Sequence, residues 1–203
     1  RMTRMSVIPT LCLIVACGTP ASAGDVSPTI ATAGPFTIIV AEGQHEPSSI
    51  GSYSVRVYRG DPEAHGDFVA GTVAKRDGSV AKAWVSTLKD QEKVHHAIVW
   101  CQSAGSGSYG SLAVYEIQQK GRLRKLRLPK TQKLSGYMGH DRFFTEGNTL
   151  YREFPLYQPG DPNSRPSGGS ARYMLDWKNK RWTLAAGSSD KSVSLKAGSP
   201  KAG

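Results

Sequence analysis

The sequence predicts an all-β protein: an antiparallel sandwich or barrel of about eight to ten short strands in a single domain. Three observations carry this. Nearly every patterned segment alternates with a period of two residues rather than 3.6. Gly and Pro are plentiful, 22 and 12 of 203 residues, which favours many short strands and turns over long helices. Hydrophobic residues make up 38% of the chain, enough to fill a core.

Taken in order, residues 24–34 are small and polar and read as a flexible segment. Residues 36–41 form a first strand. Tyr53, Val55 and Val57 alternate with polar neighbours and mark the inner face of a second. Segments 68–75 and 80–88 flank Asp77-Gly78, the strongest short hairpin signal in the chain, and are expected to pair across it. Ala97-Ile98-Val99-Trp100-Cys101 is an unbroken apolar run suited to a strand covered on both faces. Strand character returns at Leu112-Ala113-Val114-Tyr115. Gly147-Asn148 turns between segments 142–146 and 149–157, and a loop dense in turn residues follows over 159–169. Ala171, Tyr173, Leu175 and Trp177 alternate against Arg172, Met174 and Asp176. The chain then turns at Lys178-Asn179-Lys180 toward Trp182 and Leu184.

The termini differ in character from this middle. Arg1 and Arg4, the apolar stretch 7–16 and Ala21-Ser22-Ala23 make the three parts of a secretory signal over residues 1–23, too short to span a membrane. Ile14-Val15-Ala16-Cys17 also resembles a lipobox, which would place a lipid on Cys17. Either route exports the product, and the expected location is periplasmic. The expected organisation is signal 1–23, flexible segment 24–34, β domain 35–186 and disordered tail 187–203. Of the three cysteines only Cys101 lies beyond the leader, so no internal disulfide is expected, and its apolar setting marks it as a buried small hydrophobe.

The net charge is +10, and about +8 without residues 1–23. Part of it is concentrated in the run 120–133, where Lys120, Arg122, Arg124, Lys125, Arg127, Lys130 and Lys133 occur with no acid among them. Leu123, Leu126 and Leu128 keep one side apolar. Two readings stand: a charged edge strand or short helix, and a patch that binds a polyanion or the anionic envelope. The run lacks interleaved aromatics, and with an export signal this argues against nucleic acid.

No set of residues makes an enzyme. HExxH, GxSxG and paired-Cys signatures are missing. His95 and His96 point to opposite faces of a strand, and His45, His65 and His140 have no ligand spacing, so no metal or other cofactor is expected. Asp141 with Glu146 or Glu153 is read as solvated turn and strand charge. The letters Gly105-x-Gly107-x-x-Gly110 match a dinucleotide fingerprint but lack its context: strand rather than helix follows, and no acid lies between Glu116 and Asp141.

What remains is the Gly/Ser loop held between two core strands, with one aromatic at Tyr109. As physics it is either a plain hairpin connection or an exposed, pre-ordered contact loop. Ser103-Ala104-Gly105-Ser106-Gly107-Ser108-Tyr109 resembles the Ser-Gly-x-Tyr loop of bacterial periplasmic inhibitors of invertebrate-type (I-type) lysozyme. Phe68-Val69-Ala70-Gly71, Arg76-Asp77-Gly78 and Leu150-Tyr151-Arg152-Glu153-Phe154-Pro155-Leu156-Tyr157 are similar to that family too, as are Gly160-Asp161 and Pro166-x-Gly168-Gly169. The resemblance spans roughly residues 53–182. It implies an inhibitor whose partner is an I-type lysozyme, with Gly105, Ser106, Gly107, Ser108 and Tyr109 as the binding loop. Ser106 and Tyr109 match the loop serine and tyrosine that reach the catalytic carboxyl groups, and Arg152 and Tyr157 are candidates for support. Monomer and homodimer both remain open.

Overall fold

Twelve strands and no helix form the described part of the chain, which in this computed structural model is residues 27–88, 94–118, 121–130, 135–185 and 188. The expected signal, and all but Ser188 of the expected tail, fall outside these residues. The strands make three antiparallel meanders of four. Sheet 1 contains β1 (Thr29–Ala33), β2 (Phe36–Glu42), β3 (Ile50–Arg59) and β4 (Asp67–Asp77). Sheet 2 contains β5 (Ser79–Thr87), β6 (His95–Gln102), β7 (Gly110–Gln118) and β8 (Arg122–Lys125). Sheet 3 contains β9 (Arg142–Glu146), β10 (Thr149–Pro155), β11 (Ser170–Asp176) and β12 (Arg181–Leu184). The count exceeds the expected eight to ten because β1, β8 and β12 are too short to show a period of their own. β1 also lies inside the segment expected to be flexible.

The all-β class agrees with the sequence, but the layering is richer than a two-sheet sandwich. Sheet 2 lies in the middle, and its strand β6 has both faces covered. Ala97, Val99 and Cys101 pack toward sheet 1 with Ile38, Val40, Val55 and Val57. Ile98 points the other way and joins Val114, Leu150 and Leu175 between sheets 2 and 3. The Val, Leu and Ile side chains among these are almost fully buried, and each contributes about 1.5–3 kcal/mol by removal from water. His95 and His96 take opposite faces as expected: His95 meets the Phe36 ring edge-on, whereas His96 stacks on Trp177.

Asp77-Gly78 is not a hairpin. β4 pairs with β3 and β5 with β6, so the dipeptide is the corner where the chain leaves sheet 1 for sheet 2. The glycine is required for a different reason than a two-residue turn. Its φ is +79°, and a Cβ there would sit 1.8 Å from the Gln102 carbonyl oxygen. Arg76 locks the corner. Its buried guanidinium donates to the carbonyls of Gly78 (2.6 Å), Ser52 (3.0 Å), Pro47 (3.1 Å) and Ser48 (3.2 Å), and it pairs with Glu42 at 3.2 Å.

Candidate functional site

The loop between β6 and β7 projects from the end of the central sheet, so its two stems are among the most firmly held strands in the fold. A ring of hydrogen bonds closes its neck: Ser103 N–H donates to the Tyr109 carbonyl and Tyr109 N–H to the Ser103 hydroxyl, both at 2.9 Å. Ser108 N–H turns back to the Gly105 carbonyl at 3.2 Å. Gly105, at φ +123°, supplies backbone geometry that a residue with a Cβ rarely adopts.

Sheet 3 and its entry segment hold the loop from the side. His140 N–H donates to the carbonyls of Gly107 (2.9 Å) and Ser108 (3.1 Å), and Gln102 Nε2 donates to the latter at 2.8 Å. The approach is so close that a Cβ on Gly139 would lie 1.7 Å from the Gly107 carbonyl oxygen. Beneath the loop, Gly110 N–H donates to Asp141 Oδ2 at 2.9 Å. Tyr137 Oη donates to the same oxygen at 2.6 Å, and Arg152 reaches Oδ1 through Nε and Nη2, both at 2.6 Å. Arg152 Nη2 also donates to Tyr137 Oη at 2.9 Å, and the guanidinium lies against the rings of Tyr137 and Phe154. Burial, reinforced by the Asp141 carboxylate, pushes the Tyr137 phenol far above its usual range, so it stays a neutral donor.

Asp141 is therefore not a solvated turn charge. It is buried, and four donors converge on it from three elements. Its ion pair with Arg152 crosses from the segment before β9 to β10, a contact that no local spacing announces. Tyr137, Gly139 and His140 belong to the same brace and left no signal in the sequence, since they lie in a stretch without periodicity.

The five loop residues lie together at one end of the molecule. Ser106 and Tyr109 are exposed, Tyr109 by 52%, while its ring meets Tyr137 edge-on at 5.8 Å. Neither the Ser106 hydroxyl nor the Tyr109 phenol has a hydrogen-bond partner among the described residues. Arg152 lies below the loop, reaching it through Asp141. Tyr157 is buried to one side and its Oη donates to the Asn163 carbonyl at 2.8 Å. Asn163 Nδ2 in turn approaches the Ser106 carbonyl at 3.4 Å. Glu146 and Glu153 lie on β9 and β10 away from Asp141; Glu146 pairs with Arg172 at 2.5 Å. Among the described residues no group of three or more His, Cys, Asp or Glu could hold a metal ion.

An exposed loop with pre-set backbone and two unengaged hydroxyls suits contact with another protein better than catalysis. Residues 30–136, more than half of the chain, match the family model for the periplasmic lysozyme inhibitor of I-type lysozyme, PliI. The chain belongs to this family. It is thus a PliI-type inhibitor of I-type lysozyme rather than an enzyme, and the family is periplasmic. Two solved structures of the Aeromonas hydrophila PliI are similar to it. One, in complex with Meretrix lusoria lysozyme, is 35% identical over 45% of this chain and 74% of that chain, with a TM-score of 0.40. The other, PliI-Ah, is 33% identical over 49% of this chain and 85% of that chain, with a TM-score of 0.44. No curated protein matches the sequence. The loop lies inside the PliI match, whereas Tyr137, Asp141, Arg152 and Tyr157 lie beyond its end at residue 136.

Proposed function

We propose that this PliI-type protein inhibits I-type lysozyme by inserting the 105–109 loop into the enzyme's active-site cleft. The Ser106 hydroxyl and the Tyr109 phenol are the groups that meet the catalytic carboxyl pair. The observation that carries this reading is the contrast within the loop. Its backbone is anchored by hydrogen bonds from Gln102, Ser103 and His140, yet its two exposed hydroxyls are unengaged among the described residues. A lysozyme site presents one carboxylic acid and one carboxylate, both able to accept from a hydroxyl. A hydroxyl delivered on a pre-ordered loop forms that bond without first losing loop entropy, and it offers no glycosidic bond to cleave.

Arg152 and Tyr157 act as positioning residues in this reading. Arg152 works through Asp141 on Gly110 at the loop's base, and Tyr157 through Asn163 beside Ser106. Neither needs to touch the enzyme. The inhibitor's net charge, about +8 without residues 1–23, slows approach to a cationic lysozyme and favours a less cationic I-type target. A turbidity assay tests the target class: purified protein is titrated into I-type, chicken and goose lysozymes acting on cell-wall suspensions. Inhibition confined to the I-type enzyme is expected, and no inhibition of any I-type enzyme would end the proposal.

A further inference from the structure

Part of the basic run 120–133 forms β8, an edge strand, as one of its two readings had it. Its continuation does something an edge strand does not require. Past β8, residues 126–130 belong to no strand and lie against the turn that joins β11 to β12. Between them lies a cleft of about 320 Å³ lined by Arg124, Leu126, Arg127, Pro129, Trp177 and Lys180. Three of these six side chains are cations and none is an acid. Arg124 shares its charge with Glu116 on the neighbouring strand, whereas Arg127 and Lys180 form no ion pair among the described residues.

The walls are fixed. Leu126 N–H donates to the Val114 carbonyl at 2.8 Å, extending the register of β8 by one residue, and Trp182 Nε1 holds the Pro129 carbonyl at 3.3 Å. Trp177 is stacked on His96 at 6.4 Å. Its Nε1 is sheltered from solvent and has no acceptor among the described residues. A donor sheltered from solvent in this way is out of reach of a ligand in the open cleft, where Trp177 offers only its apolar indole surface. Lys180 sits at φ +49°, an uncommon conformation for a long side chain. Two hydrogen bonds from Asn179 to Asp176, at 3.0 and 2.7 Å, fix the turn that presents it.

The cleft therefore has no acidic side chain among its lining residues, and it offers an indole and aliphatic surface beside three cations. We propose that it binds an anionic saccharide, a sugar unit bearing a carboxylate or phosphate. The acidic oxygens would meet Arg127 and Lys180, and the apolar face of the ring would lie along Trp177 and Leu126. The size is at the lower end for ligand pockets and suits a single sugar unit with its charged group. Nucleic acid fits less well, because one indole is no stacking track. Leu126 sits opposite Val114, roughly 14 Å along β7 from Gly110 at about 3.4 Å per residue, so this site is separate from the lysozyme-facing loop.

The test is titration of the full chain with trigalacturonate, glucose 1-phosphate, neutral maltotriose and inorganic phosphate, followed by calorimetry and tryptophan emission. Saturable one-to-one binding of at least one charged sugar is expected, at least tenfold tighter than inorganic phosphate, with maltotriose inert. Arg127→Ala combined with Lys180→Gly, which the left-handed turn accepts, should weaken it tenfold or more. The melting temperature and lysozyme inhibition should not change. Trp177→Phe should remove the emission change. Absence of saturable binding, inorganic phosphate binding as tightly as the sugars, or affinity that survives the double variant would each overturn the proposal. So would equal or tighter binding of a single-stranded oligonucleotide, which would mark a general polyelectrolyte surface.

Discussion

Replacing Asp141 by Ala should destabilise the fold strongly and loosen the loop with it. The Asp141 side chain is fully buried and that of Arg152 is 7% exposed, so solvent screens the pair very little. Truncation removes both oxygens that the guanidinium, the Tyr137 phenol and Gly110 N–H use, and leaves the Arg152 charge buried without its partner. A buried pair broken in this way costs about 3–5 kcal/mol. For a domain of this size that is a fall in Tm of roughly 6–20 °C. Arg152→Ala should cost a similar amount, and the double variant far less than the sum, because each single change already loses the pair. Urea and thermal unfolding of all three proteins measure this. At a temperature where the single variants remain folded, their inhibition of I-type lysozyme should also weaken, since Gly110 anchors the loop base. A loss of under 1 kcal/mol for Asp141→Ala, or additive single changes, would refute the account of the brace.

Further consequences follow from other parts of the molecule. Gly139→Ala should displace the Gly107 carbonyl, at a cost of about 1–3 kcal/mol for the strained backbone alone, and weaken inhibition more than stability; equal inhibition constants would contradict the close approach. Burial holds the His96 imidazole below its ordinary value of 6.5, with the Glu116 carboxylate opposing the shift. Below about pH 6.5 the unfolded chain therefore binds a proton that the folded one does not. Stability should be complete above that pH and fall below it, by up to ~1.4 kcal/mol per unit until the folded pKa is passed. His96→Gln should flatten urea-derived stability between pH 6.5 and 5; an unchanged slope would assign it elsewhere. The Cys101 thiol is pushed up to about 11 by burial. Iodoacetamide at pH 8 should therefore leave it unmodified in the folded protein and label it in urea, whereas rapid native labelling would contradict its place in the core.

The strand class was legible because burial imposes the two-residue period directly. Tyr53, Val55 and Val57 read as one face in the sequence and pack as one face in the fold. Pairing partners were less legible. Asp77-Gly78 signals a positive-φ glycine, but a hairpin turn and a corner between sheets both need one, and only the register of β4 with β3 distinguishes them. The apolar run of β6 correctly announced two covered faces, yet nothing local said that a third sheet supplies one of the covers. The loop was visible as small residues between rigid stems. Its brace was not, because Asp141 lies in loop sequence before β9 and Arg152 in the middle of β10, and charge at such positions ordinarily faces water. Their burial depends on Tyr137 and Gly110 arriving from other elements.

The most direct measurement of the central proposal is the inhibition constant of Ser106→Ala, Tyr109→Ala and the double variant against one I-type lysozyme, each beside its melting curve. Tyr109→Ala should weaken inhibition by ~2 kcal/mol or more, as a central interface aromatic does, and Ser106→Ala by about 1–3 kcal/mol. The double change should be less than additive if both hydroxyls serve the same carboxyl pair, with Tm unaltered throughout. A double variant that inhibits as well as the parent protein would contradict the inserted loop.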